Sequence, residues 1–241
     1  MQIEGAIALV TGANRGIGLA LVQALAEGGA RHIYGTARNP ESFPPGELPP
    51  PAQFSALRLD LSDGESIEDV AALANDVTLL INNAGSLSGG ALLAAPPEAI
   101  RGEMATNCFG LIEVTRLFAP VIARNGGGVI LNMLSVSSLA SAPDLGIYAT
   151  SKAAAWAATQ AMRTSLAADN IRVLSAFPGP VDTDMSSELE VRKASPGSVA
   201  EALIAGIERE DPEIFPDDMA RQAEAVWRSD PAMLIRQFSV L

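Results

Sequence analysis

Short β-branched or apolar runs alternate with amphipathic segments from the start of the chain to about residue 215, and nothing else in the sequence limits the fold as strongly. Strands are expected at 6–11, 32–36, 54–59, 78–82, 128–134, 171–177 and 212–215. Helices are expected near 16–28, 63–75, 97–124, 146–168 and 196–209, with two more at 217–228 and 232–238 separated by Asp230-Pro231. Successive parallel strands need a crossover between them, so the alternation predicts an α/β fold built on a doubly wound parallel sheet. At 241 residues one domain suffices, spanning 1–241. Pro44-Pro45-Gly46-Glu47-Leu48-Pro49-Pro50-Pro51 is too proline-rich for a helix interior and predicts a long loop or a very short helix between strands two and three. Ile235 and Phe238 are free for packing or for a subunit contact.

Composition excludes several classes of function. A formal charge of −12 argues against nucleic acid as a partner, because such affinity draws on clustered Lys and Arg. Cys108 is the single cysteine, so no disulfide framework and no cysteine-rich metal site is expected, and it reads as a small core residue. The N-terminal Met1-Gln2-Ile3-Glu4 lacks a basic region, and no apolar run approaches the roughly 18 residues needed to span a bilayer. The expectation is a cytoplasmic protein with no membrane partner and no metal.

The turn Gly12-Ala13-Asn14-Arg15-Gly16-Ile17-Gly18 falls at the first strand-to-helix junction, where free N–H groups of a helix N-terminus can receive a pyrophosphate. A nucleoside-triphosphatase loop would end in Gly-Lys-Ser/Thr, which this one does not. A dinucleotide is the expected ligand, with a purely structural turn as the alternative.

Thr11-Gly12-x-x-x-Gly16-x-Gly18, Asn82-Asn83-Ala84-Gly85, Ser135, Tyr148-x-x-x-Lys152 and Pro178-Gly179 stand in the order and spacing of the short-chain dehydrogenase/reductase family. The chain resembles that family, and within it the NADP(H)-dependent carbonyl reductases, over about residues 4–185. The resemblance implies a Rossmann-type seven-stranded parallel sheet with helices on both faces. It implies cofactor contacts from Gly12, Asn14, Arg15, Gly16, Ile17, Gly18, Arg38, Asp60, Leu61, Asn83, Ala84, Gly85, Tyr148, Lys152, Pro178, Gly179, Val181 and Thr183. It implies four catalytic positions, Asn107, Ser135, Tyr148 and Lys152, with Asn107 holding a water that passes protons from Lys152 to solvent.

The residue types suit those roles. Tyr148 and Lys152 are four apart in a helical segment and project from one face. A phenol of pKa ~10 exchanges protons poorly at neutral pH. The Lys152 ammonium and an oxidised nicotinamide ring are expected to lower that value, and a drop of about 3 units asks for roughly 4 kcal/mol of differential interaction. The chain has only two lysines, Lys152 and Lys193, which sharpens the placement of the first. Ser135 ends a strand and stands thirteen residues before Tyr148, so its hydroxyl is expected to hold a substrate oxygen, with Ser137 and Ser138 as neighbouring competitors. A hydrolytic serine is disfavoured: no Gly-x-Ser-x-Gly surrounds it, and the single histidine, His32, starts a distant strand and reads as a surface or strand-edge residue. Asn83 is read equally as a structural tie or a ligand contact, and Asp60 equally as an adenine neighbour or a helix cap with Ser62.

The cofactor is read from the end of strand two. Ala37 stands where an NAD-binding member of the fold places an acid against the ribose 2′-OH, and Arg38 follows it, with Arg15 in the glycine turn. Two guanidiniums on a 2′-phosphate give charge-assisted bonds on the order of 1.5–3 kcal/mol each, so NADP(H) is expected. Pro178-Gly179-Pro180-Val181-Asp182-Thr183 is expected to curl round the nicotinamide, and 184–196, with Met185 and Leu189, to form a short lid over a modest, partly apolar substrate. The reading is an NADP(H)-dependent oxidoreductase interconverting a small-molecule ketone or aldehyde and its alcohol. The resemblance implies a homodimer or homotetramer, because Ser135 and Tyr148 are not separated by the insertion of the family's monomeric carbonyl reductases, leaving helices 97–124 and 146–168 free to pair. A catalytically idle NADP(H)-binding signalling or scaffold protein and an NAD-dependent alcohol dehydrogenase are the alternatives.

Overall fold

A computed structural model describes residues 1–44 and 48–240. Seven parallel strands, β1 (Ile7–Val10), β2 (His32–Ala37), β3 (Gln53–Arg58), β4 (Leu79–Asn82), β5 (Gly128–Met133), β6 (Ile171–Ala176) and β7 (Glu213–Ile214), lie in the order β3-β2-β1-β4-β5-β6-β7. The helices are α1 (Gly16–Glu27), α2 (Gly64–Leu73), α3 (Pro97–Met104), α4 (Leu111–Arg124), α5 (Gly146–Ser165), α6 (Pro196–Arg209), α7 (Asp218–Ser229) and α8 (Pro231–Phe238). The doubly wound sheet expected from the alternation is present. β7 is shorter than expected because Pro212 and Pro216 bracket it, and a proline has no N–H to give a ladder. Between β2 and β3 the described residues hold a short 3₁₀ turn, Pro40–Ser42; Pro45, Gly46 and Glu47 of the proline-rich stretch lie outside the described residues.

The apolar runs are continuous because helices cover both faces of the sheet. Along β1, Ala8 and Val10 join Leu21 and Leu25 of α1 and Leu203 of α6 in one core. Ile7 and Leu9 point the other way, to Ile67 of α2 and Phe118 and Ile122 of α4. Each buried Val, Leu, Ile or Phe among these contributes about 1.5–3 kcal/mol relative to exposure. A third cluster packs Trp156 of α5 and Phe177 against α7 and α8; Phe238 is buried there, whereas Ile235 remains exposed.

Helix starts follow local chemistry. Asp63, Ser195, Asp217 and Asp230 each accept a backbone N–H at the start of α2, α6, α7 and α8. α1, like α3 and α5, has no side-chain capping bond; Arg15 stands at its N-cap in extended conformation. α3 and α4 form one continuous helix, Pro97–Arg124, interrupted by a π turn at Ala105–Gly110. By length and composition this helix could cross a membrane, contrary to the expectation that no segment reaches that size, because charged residues interrupt the run without lowering its mean hydropathy enough. More than half of its apolar window, 56%, is buried inside the protein, as a core helix requires.

β1 has β2 on one side and β4 on the other, so the chain winds outward in opposite directions from this point. The carboxyl ends of β1 and β4 therefore diverge into a crevice, the position where ligands bind in open α/β sheets.

Candidate active site

The three glycines of the first turn answer to the protein's own packing. Gly12 and Gly16 have φ of +64° and +55°, the left-handed region that disfavours side chains. A Cβ on Gly12 would lie 3.0 Å from Ala84 Cα, and one on Gly18 would collide with the Gly12 carbonyl and come within 2.6 Å of Asn83 Nδ2. Asn83 is the tie: its Nδ2 donates to the carbonyls of Thr11 and Gly12 at 2.9 and 3.1 Å, while Thr11 Oγ1 accepts from the N–H groups of Asn83 and Ala84. The turn is thus pressed against β4, and the uncapped start of α1 faces the crevice.

That crevice measures about 1120 Å³ and receives every expected cofactor residue from Gly12 to Thr183, together with Ser135. Asn107 does not line it. At one end stand Ala37 and Arg38, the latter exposed, and Thr36, whose buried hydroxyl has no partner among the described residues. Asp60 does not cap α2; its carboxylate accepts from the N–H and hydroxyl of Ser62 at 3.0 and 2.7 Å, which holds it below the usual carboxylate range, and Asp63 is the cap. Arg15 reaches across the mouth to Asp184 at 2.6 Å, both side chains being exposed. An orphaned hydroxyl, an uncapped helix start and two guanidiniums form a donor set that fits a phosphorylated dinucleotide.

Elsewhere along the crevice the sheet brings Ser135, Tyr148 and Lys152 together. Ser135 follows β5 and caps a short 3₁₀ turn, accepting from Ser137 N at 3.1 Å. Ser137 and Ser138 are buried beside it, and Ser138 Oγ accepts from Ser135 N at 3.3 Å. Tyr148, buried on α5, lines the crevice with Ser135. Lys152, one turn on, sets Nζ 5.8 Å from the Tyr148 ring centroid and donates to Met133 O at 2.8 Å. Within the protein the phenol is pushed up to about 12, chiefly by burial and also by the charge of Glu103, with Ser135 opposing. The expectation joined the Lys152 ammonium to an oxidised nicotinamide ring; with the chain's own groups alone, lost hydration outweighs what they supply. Burial brings Lys152 down to about 8, with Glu103 opposing.

Asn107 sits in the π turn, behind the crevice wall. Its Nδ2 lies 2.9 Å from Ser86 O, 2.9 Å from Ser151 Oγ and 3.1 Å from Glu103 Oε1, and its Oδ1 accepts from Ser86 N at 2.9 Å. The amide is committed to protein partners. Gly85 brings it near Lys152, since a Cβ there would fall 3.0 Å from Asn107 Oδ1 and 3.4 Å from Lys152 Nζ. Glu103, which sequence reasoning missed, is buried; its spacing of four from Asn107 on one helix, like that of Tyr148 and Lys152, was the available signal. Asp217 was missed too: it accepts from Gly179 N at 2.8 Å and from Ala220 N at 2.9 Å, so one side chain fixes the loop after β6 and starts α7.

The segment after β6 returns to the site. Asp182 N donates to Ala194 O at 2.8 Å and Ala194 N to Pro180 O at 3.0 Å, closing a loop whose Met185 and Leu189 line the crevice. His32 lies remote from it, half-buried on β2 with Nε2 2.9 Å from Ser55 Oγ. Cys108 is buried beside Asn107, its thiol pushed up by desolvation.

Residues 6–194 match the short chain dehydrogenase family model. A Bacillus subtilis (strain 168) protein, the uncharacterized oxidoreductase YusZ, is 35% identical over 190 residues, covering 75% of this chain and 67% of that one. A 3alpha-hydroxysteroid dehydrogenase of Mediterraneibacter gnavus is 31% identical over 220 residues, covering 86% and 84%. Among solved structures, a short chain dehydrogenase from Burkholderia cenocepacia J2315 in complex with NADP superposes with a TM-score of 0.92 at 36% identity, covering 99% of each chain.

Proposed function

This chain belongs to the short-chain dehydrogenase family and is an oxidoreductase, and from that premise we propose that it interconverts a ketone or aldehyde and the corresponding alcohol with NADP(H). The observation that carries the reading is the meeting of Ser135, Tyr148 and Lys152 in a crevice that Arg15 and Arg38 also line. The NADP complex of the Burkholderia cenocepacia protein supports the same cofactor.

The start of α1, Asn83, Ala84 and Gly85 would hold the dinucleotide, with Arg15 and Arg38 on its 2′-phosphate, Asp60 and Leu61 near the adenine, and Val181 and Thr183 near the nicotinamide carboxamide. When bound, NADPH supplies the hydride. Ser135 Oγ donates to the substrate oxygen and fixes its position. Tyr148 gives its hydroxyl proton to that oxygen in reduction and takes it back in oxidation. Lys152 holds a positive charge beside the phenol, favouring the phenolate formed in the transfer. Asn107, fixed from behind, keeps Ser86 and Ser151 in register with this group and supports proton return through Lys152. Met185 and Leu189 set an apolar lid edge suited to a modest substrate. The same reading has the protein cytoplasmic and a homodimer or homotetramer.

The test is NADPH oxidation, followed beside NADH, against aldehydes, aliphatic and aryl ketones, diketones, steroids and quinones. Turnover with at least one class, faster with NADPH, is expected; nucleotide binding without turnover over the whole panel would point to an idle binding protein.

A further inference from the structure

Glu103 is 1% exposed, yet it enters no ion pair among the described residues. Four donors converge on its two oxygens. Ser86 Oγ and Ser88 Oγ reach Oε2 at 2.8 and 2.9 Å, and Ser88 N and Asn107 Nδ2 reach Oε1, each at 3.1 Å. A buried carboxylate costs several kcal/mol of hydration unless donors replace the water, and here four protein donors stand in its place.

Its chemistry also settles which way Asn107 faces. A carboxylate only accepts, so the amide must turn Nδ2 toward Glu103; the Ser86 N–H only donates, so it takes Oδ1. Oδ1 is thereby left on the Gly85 side, where the space a Cβ would fill separates it from Lys152 Nζ. The carboxylate and the ammonium thus sit on either side of one buried amide.

We propose that Glu103 is a positioning residue of this site: its buried carboxylate orients Asn107, anchors the 86–88 loop, and holds Lys152 in its charged form. Burial by itself pulls the Lys152 value down, and Glu103 is the charge that opposes this; the same charge acts upward on Tyr148. Few other charges face the pair. On the elements packed against α5, Glu98 and Arg101 of α3, Arg116 and Arg124 of α4, Asp144 before α5, Asp169 after it and Arg172 of β6 are exposed; Glu113 of α4 pairs with Arg116 at the surface. Arg163 of α5 is spent on Val173 O and Pro212 O, and β5 carries no titratable side chain. Cys108, in the π turn, is kept neutral by its burial.

The effect of Glu103 on turnover rests on the function proposed above; its effect on Lys152 does not. With two lysines in the chain, protein labelled with 13C at lysine Cε gives two titrating signals, and Lys193→Arg assigns them. In Glu103→Gln the Lys152 midpoint is expected to fall by at least about 0.5 unit with Lys193 unmoved. Glu103→Asp keeps the charge and is expected to hold the midpoint within about 0.3 unit of the parent. An unmoved midpoint in the first variant, or a drop of about a full unit in the second, overturns the proposal. The alkaline limb of kcat/KM with NADPH should move with the lysine in Glu103→Gln. If the parent protein turns over no carbonyl, the function proposed above fails, and the lysine titration still decides the role of Glu103.

Discussion

Lys152 donates from Nζ to the main-chain oxygen of Met133 at 2.8 Å, tying α5 to the last residue of β5, two positions before Ser135. This bond fixes where the ammonium stands relative to Tyr148 and Ser135 with a backbone atom, so side-chain variation on β5 leaves it in place. It also keeps a charged group in a buried site.

That burial predicts a pH dependence of stability. Lys152 falls from 10.5 to about 8 on folding, so between those values the unfolded chain binds more protons than the native one. Stability from this group therefore rises with pH across the window, by roughly 2 kcal/mol between pH 7.5 and 9.5. Urea unfolding of the parent and of Lys152→Met at these two pH values checks it. The rise should be present in the first and missing in the second; equal slopes would refute the assignment.

On the proposed reading, Arg38 chooses the cofactor. It is exposed at the end of β2 beside Ala37, where an acid would repel a 2′-phosphate. Arg38→Asp is expected to shift the NADPH to NADH preference by on the order of a hundredfold. Paired kcat/KM values measure this, and an unchanged ratio would remove Arg38 from the account. Arg15 should contribute less while it remains paired with Asp184, so Asp184→Asn is expected to tighten NADPH and leave NADH nearly unmoved.

Two glycines separate close packing from chain flexibility. Gly18→Ala drives a methyl into the Gly12 carbonyl and Asn83 amide, and should cost at least about 3 kcal/mol. Gly64 opens α2 with nothing within 4 Å of a Cβ, so Gly64→Ala should stabilise by up to about 1 kcal/mol. Thermal or urea unfolding of both variants compares them directly.

The order of strands and helices was legible because both sheet faces are covered, which makes strands such as Ile7–Val10 read as unbroken apolar runs. The glycine turn was legible as a turn, but the reason for Gly18 was not. That reason is the Gly12 carbonyl, folded back onto the helix start, together with Asn83, 65 residues away, and only the folded chain brings them there. The same holds for Arg15 and Asp184, whose pairing joins opposite ends of the site. Glu103 reads as one more charge in the polar stretch Glu98 to Glu103, because burial is a property of the folded chain and leaves no local mark. The π turn was equally hidden, since 97–124 keeps a helical pattern on both sides of it. For Tyr148 the position was readable, whereas the sign of its shift depended on how much hydration it loses.

The central claim is that the Tyr148 hydroxyl moves the proton, and Tyr148→Phe tests it with two readings on one preparation. NADPH affinity, followed by fluorescence titration, should stay within about threefold of the parent, because the crevice keeps its other contacts. Turnover on the best carbonyl substrate should fall by at least about a hundredfold, the lower range for a positioned proton donor. Retained turnover with unchanged NADPH affinity would contradict the account, since another group would then be supplying the proton.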